Sequence, residues 1–332
     1  MLRMTTLIKK SKLKMQLKNK NLGKIDLKAC RDGFGEALLE LGKKNKEVVV
    51  VSADLAESTR CLEFGKKYPP RFIEVGVAEQ NMAGIAAGLA LEGKIPFICS
   101  FAVFSPGTNW EQIRLSVCYN KANVKIVSSH AGLNVGEDGA THQALEDIAL
   151  MRVLPNMTVI APCDYEETKK AVLAAAKLKG PVYIRYGRDK SPVITNKSSK
   201  FKIGQAEILR QGKDITIIAC GALVYDALLA ADELAKQKIG AEVINCHTIK
   251  PIDKQTIIRS AKKTKKVVTI EDHQVNGGLG SAVAEVLAQN YPVPMKIIGM
   301  PDKFGESGTG KQLLDKYSLN SVGIIKAVKK LI

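Results

Sequence analysis

The segment GVAEQNMAGIAAGLA, Gly76 to Ala90, sets a single acid, Glu79, at the mouth of an otherwise small and apolar helix. Burial disfavours the ionised form of a carboxyl group, so carboxylates avoid such places. One that is kept there is a candidate proton donor or acceptor. A second chemically capable stretch is SHAGLNVGEDGATHQALEDIALMR, in which two of the chain's four histidines, His130 and His142, flank one loop. Its glycines and acids suggest a backbone bent to a purpose. Neither stretch contains a glycine-rich phosphate loop or a metal-ligand cluster.

The elements that must carry these residues are legible from about residue 28 onward. ACRDGFGEALLELGKK has helical periodicity, and EVVVVSADL is a continuous apolar run of strand length. RFIEVG, IPFICSF, VKIVSSH, MTVIAP and PVYIRYG follow as short strands between helical stretches. Continuous apolar strands alternating with helices imply a mostly parallel sheet covered on both faces. SPVITNKSSK, residues 191–200, has the composition of a linker. A second alternation then runs through DITIIACG, AEVINCHTIKPID, KKVVTIED and PMKIIGM. The expected fold is therefore α/β in two domains, 28–190 and 201–332, each a mostly parallel sheet flanked by helices. Ligands collect at the carboxyl ends of strands in such sheets, and there the reading gathers Asp54, Glu79, Phe101, His130 and Arg185.

At 332 residues the chain can bury two ordinary cores, and 45% hydrophobic with 25% charged residues is the composition of a soluble globular protein. No apolar run reaches membrane-spanning length, because Ala83 to Phe104 is interrupted by Glu92, Lys94 and Pro96. The net charge of +17 is concentrated at the start, where residues 1–25 hold eight Lys or Arg and no acid. The remaining charge is spread over many helices, and aromatics are only 5% of the chain, so nucleic-acid binding is not expected. Residues 1–27 read as a basic, disordered extension with no secretory apolar region. Seven cysteines without a C-x-x-C pair fit neither a disulfide framework nor a zinc site, and imply a reducing, cytoplasmic compartment.

VSADL, GVAEQNMAGIAAGLA, SFAVF, HAGLNVGEDGATHQALEDIA and EDHQVNGGLGSAVAEVL together resemble the transketolase family of thiamine-diphosphate enzymes, in that family's order. The resemblance covers the pyrimidine-binding and C-terminal domains, from about residue 28 to the end. The family's first domain, whose G-D-G motif binds magnesium and the diphosphate, has no counterpart here. The resemblance therefore implies the C-terminal subunit of a split transketolase, in an α2β2 assembly with a separate N-terminal subunit that supplies the magnesium ligands.

By that resemblance Glu79 matches the glutamate that hydrogen-bonds a ring nitrogen of the cofactor's aminopyrimidine. Phe101 and Phe104 match the aromatic wall over that ring, and Asp54 lies near its thiazolium side. Gly107 departs from the pattern, since many full-length relatives carry a third aromatic there. Substrates are implied to be sugar phosphates, with His130, Arg185, Ser58 and Arg31 matching groups at the phosphate end. Asp138 matches a residue that bonds a substrate hydroxyl, and His142 one near the reacting carbonyl. Arg31 reads equally well as an exposed helix residue, and Asp54 as a helix cap. His247 and His273 read as structural, and GGLGSAV as a glycine-tolerant turn rather than a dinucleotide loop. A deoxyxylulose-phosphate synthase shares the A-E-Q form at Ala78 to Gln80, but His130 and the longer AGLNVGEDG favour transketolase. A noncatalytic scaffold subunit is the alternative from another class.

Overall fold

The computed structural model describes residues 26–332. The expected 1–27 extension lies outside these except for its last two residues, and Leu27 already pairs in a strand. In chain order the first part holds β1 (Leu27–Ala29), α1 (Cys30–Lys44), β2 (Val48–Ser52), α2 (Leu62–Lys67), β3 (Phe72–Glu74), α3 (Glu79–Leu91) and β4 (Ile95–Phe101). It continues with α4 (Trp110–Gln112), β5 (Lys125–Ser129), α5 (Asp147–Arg152), β6 (Thr158–Ile160), α6 (Tyr165–Lys177), β7 (Val182–Arg185) and β8 (Lys190–Pro192). The second part holds β9 (Glu207–Arg210), β10 (Ile215–Ala219), α7 (Leu223–Lys236), β11 (Ala241–Asn245), β12 (Thr248–Lys250) and α8 (Lys254–Thr264). It ends with β13 (Val267–Gln274), α9 (Leu279–Asn290), β14 (Met295–Met300), α10 (Gly310–Lys316) and α11 (Ser321–Leu331).

The first sheet has seven strands in the order β12-β6-β7-β5-β4-β2-β3, and the second has five in the order β14-β13-β10-β11-β9. Within these two sheets pairing is parallel except where the edge strands β12 and β9 run antiparallel to their neighbours, and β1 and β8 form a separate antiparallel pair. The run VVVVS in β2 is buried throughout, as a strand covered on both faces must be. Each valine of that run contributes roughly 1.5–3 kcal/mol on burial. Among the described residues no helix is long and apolar enough to cross a membrane.

Two boundaries differ from the sequence reading. AEVINCHTIKPID is not one strand of the second domain: β11 stays there, while β12 crosses over to pair with β6 of the first sheet. One apolar cluster accordingly runs through both domains, from Val51, Met82 and Ile148 to Ile218, Ile244 and Val283. The expected linker is also tied down. Ser191 and Pro192 pair with β1, and Asp164, which caps α6, accepts hydrogen bonds from the Ile194 and Thr195 amides at 2.7 and 2.5 Å. A linker composition describes the side chains, but here the backbone amides had a buried carboxylate to meet.

Candidate active site

Glu79 is the first residue of α3 and is 8% exposed. Asn109 Nδ2 donates to the Glu79 carbonyl at 3.1 Å and to Ser105 Oγ at 3.2 Å, which holds the start of the helix against the turn after β4. Ser100 Oγ donates to Glu79 Oε1 at 3.3 Å, and the carboxylate has no other hydrogen bond among the described residues. At the end of β3, Glu74 Oε1 accepts from the amides of Asp54 (2.7 Å) and Gly76 (3.1 Å). That single carboxylate fixes two left-handed bends, at φ 59° and 69°. Asp54 stands exposed past the end of β2.

The aromatic residues come from the neighbouring strand ends. Phe101 ends β4 opposite Ser129 of β5, so the next residue after Ser129, His130, falls against it. Their rings stack with centroids 3.7 Å apart. Phe104 lies 6.1 Å from Phe101 and meets His142 edge-on at 5.6 Å. The structure thus brings Glu79, Phe101, Phe104, His130 and His142 to one end of the sheet. Gly107 cannot carry a third aromatic, because a Cβ there would lie 1.7 Å from the Val103 carbonyl oxygen.

A second group surrounds His130, which is 3% exposed and left-handed at φ 56°. Burial, followed by the charges of Arg31, Arg188, His142 and Arg60, pushes its pKa down to about 3. The imidazole is therefore neutral near pH 7, with Nδ1 at 2.8 Å from Ser129 Oγ. Arg31, from α1, donates to the Ser58 carbonyl at 3.2 Å, while its Nε is buried without a hydrogen-bond partner. Burial and then Arg60 lower the Arg31 pKa. Arg188 donates to the Val135 carbonyl at 2.9 Å and lies 3.8 Å from Asp138. Arg60 is paired with Asp32 at 2.8 Å and Arg188 with Glu137 at 3.5 Å, so the unpartnered Nε of Arg31 is the donor that an anion could meet here.

Arg185 does not join that group, contrary to its place in the expected phosphate set. It is 5% exposed and forms a bidentate pair with Asp147, itself 1% exposed, at 2.9 and 3.2 Å. A further donor goes to the Asp272 carbonyl at 3.1 Å. Three of its five N–H groups are thus engaged inside the protein, and three residues later it is the charge of Arg188 that reaches His130. Sequence reasoning missed Arg188, although Gly187 before it marks where the strand yields to the loop. Arg60, Ser100, Asn109 and Glu74 were also unread.

The other histidines have local partners. His247 stacks on Phe201 at 4.3 Å, and His273 Nε2 accepts from the Ala149 amide at 3.3 Å. In the GGLG turn the amides of Leu279 and Gly280 are taken by Glu271 at 2.6 and 2.8 Å, so no phosphate could use them. Among the described residues no three His, Cys, Asp or Glu side chains stand close enough to hold a metal ion.

Comparison with known proteins decides the family. Residues 27–193 match the model of the transketolase pyrimidine-binding domain, and residues 204–324 that of the transketolase C-terminal domain. The chain belongs to the transketolase family. It is 50% identical over 305 residues to a putative transketolase C-terminal section from Methanocaldococcus jannaschii, covering 91% of this chain and 95% of that one. It is 45% identical to a 6-deoxy-6-sulfo-D-fructose transketolase subunit from a Clostridium strain, over 90% of this chain and 92% of that one. Among solved structures it is similar to a split-gene transketolase described as an inactive β4 tetramer, with a TM-score of 0.84, 47% identity, and coverage of 91% and 97%. Transketolase-family pyrimidine domains imply dependence on thiamine diphosphate, and the relatives named as sections or subunits imply a partner chain.

Proposed function

We propose that this chain is the C-terminal subunit of a transketolase that moves a two-carbon ketol unit from a ketose phosphate to an aldose phosphate. It works with a separate N-terminal subunit, as α2β2, and with thiamine diphosphate and magnesium, whose ligands lie on that partner. The observation that carries this reading is the pairing of a buried, half-satisfied carboxylate beside aromatic rings with a cationic end one loop away. When bound, thiamine diphosphate supplies the electron sink for breaking a carbon–carbon bond next to a carbonyl.

This chain's residues divide the remaining work. Glu79 hydrogen-bonds a ring nitrogen of the aminopyrimidine and shifts its proton balance, with Ser100 holding the carboxylate in line. Phe101 and Phe104 wall the ring and exclude water, and Asp54 stands toward the thiazolium side. Neutral His130, with Arg31, Ser58 and Arg188, receives the sugar phosphate. Asp138 bonds a substrate hydroxyl, and His142, beside Phe104, serves the reacting carbonyl. Val77, two residues before Glu79, is 80% exposed, which fits a site mouth that another chain must close.

The test is a two-carbon transfer assay with xylulose 5-phosphate and ribose 5-phosphate, thiamine diphosphate and magnesium. It is run on the chain alone and then with a co-expressed diphosphate-binding subunit. Transfer in the mixture alone is the expected result. Product from pyruvate plus glyceraldehyde phosphate, but none from the sugars, would move the activity to a deoxyxylulose-phosphate synthase.

A further inference from the structure

Strand β13 carries the triplet Glu271, Asp272 and His273, and each side chain meets the start of a different helical segment. Glu271 takes the first amides of α9 in its own domain. His273 takes the Ala149 amide of α5, across the domain boundary. Asp272 also reaches across: its Oδ1 accepts from the Leu133 amide at 2.9 Å, the first residue of the short turn Leu133–Asp138. The Asn134 amide adds to the same carboxylate. Asp272 is thus tied through its side chain to the substrate-side loop and through its carbonyl to Arg185.

The loop is shaped around that carboxylate. Gly132 has φ +81°, and a Cβ there would lie 2.2 Å from Asp272 Oδ2, so the chain passes over Asp272 only because it lacks a side chain. The far end of the loop rests on the same domain. Gln143 Nε2 donates to the Glu306 carbonyl at 3.0 Å, and a Cβ on Gly139 would lie 2.6 Å from Ser307 Oγ. Asp138 and His142 lie between these two supports.

We propose that Asp272 is a positioning residue through which the second domain sets where Asp138 and His142 stand toward the substrate. The roles of Asp138 and His142 rest on the preceding reading, whereas the hold of Asp272 on the loop does not. The second domain is then part of the specificity apparatus even though it offers no side chain to the substrate.

Asp272→Asn keeps an acceptor oxygen for the Leu133 amide and Asp272→Ala removes it. In the assembled enzyme Asp272→Ala should raise KM for the ketose phosphate about tenfold, the fold-change that loss of one hydrogen bond to a charged group brings. Half-saturation by thiamine diphosphate should stay the same, and Asp272→Asn should restore KM. A merely structural role would lower the amount of folded enzyme and leave KM alone, which would overturn the proposal. Amide hydrogen exchange at Leu133 and Asn134 is read on the full chain by itself, and should quicken in Asp272→Ala but not in Asp272→Asn. Equal exchange in both variants would overturn it too. Should Asp272→Ala fail to fold, Gly132→Ala forces the loop and the Asp272 carboxylate apart while every β13 residue stays unchanged, and a wild-type KM there would count against the idea. If the wild-type complex transfers no two-carbon unit, the functional reading fails while the exchange data still decide the role of Asp272.

Discussion

The two ends of the candidate site are built on opposite principles. Around Glu79 there is little charge: one carboxylate, one hydroxyl, and the rings of Phe101 and Phe104. Around His130 burial, and after it the charges of three guanidinium groups, keep the imidazole neutral. The first end is assembled from a helix start and the adjoining strand end. The second draws on α1, the segment after β2, and the loops after β5 and β7. A carboxylate that must exchange a proton gains from a low-dielectric neighbourhood, where each interaction is felt strongly. An anion subsite gains from several fixed donors, and these need not be contiguous in sequence.

The largest effect that would test this contrast is at the uncharged end. Glu79→Ala should cut turnover of the assembled enzyme by about 10²–10⁴-fold, the range for general acid–base groups, while assembly followed by gel filtration is unchanged. Activity within a few fold of wild type would remove Glu79 from the chemistry.

Next come two arginines three residues apart that the structure separates in kind. Arg185→Met leaves Asp147 buried and unpaired, which should cost about 3–5 kcal/mol of stability, measured by urea unfolding. Arg188→Ala should leave the unfolding midpoint nearly unchanged. It should instead raise KM for phosphorylated sugars roughly 10–100-fold, as loss of a charge-assisted contact does. Reversal of these two phenotypes would return Arg185 to the phosphate set.

The last effect concerns His130 and is absent near neutral pH. Its pKa in the folded chain, about 3, lies below the ordinary value of 6.5. The unfolded chain therefore binds the proton first, and the stability involved is complete above pH 6.5 and lost as pH falls toward 3. His130→Gln should flatten the pH dependence of unfolding over that window. An unaltered slope would mean that the imidazole is not held neutral in the folded chain.

Legibility followed the same division. VVVVS, IPFICSF and the glutamate helix could be read directly, because local periodicity and the oddity of one acid among small residues are properties of contiguous sequence. Arg185 and Arg188 could not be ranked that way. Arg185 ends β7 and Arg188 follows it, and only the position of Asp147, 38 residues before Arg185, shows which charge is already paired. The strand Thr248–Lys250 was likewise invisible as a deserter to the other sheet, since its own residues suit either one.

By itself, then, the chain determined its alternation of parallel strands and helices, the family it resembles, and the acid at the head of α3. These depend on side-chain pattern within a dozen residues. Tertiary structure decided which arginine pairs with Asp147 and which acts on His130, that His130 is neutral, and that Asp272 of the second domain grips the loop of the first. Each of these depends on desolvation and on partners brought in from distant segments, and pair distances of that kind exist only once the two domains have closed on a common core.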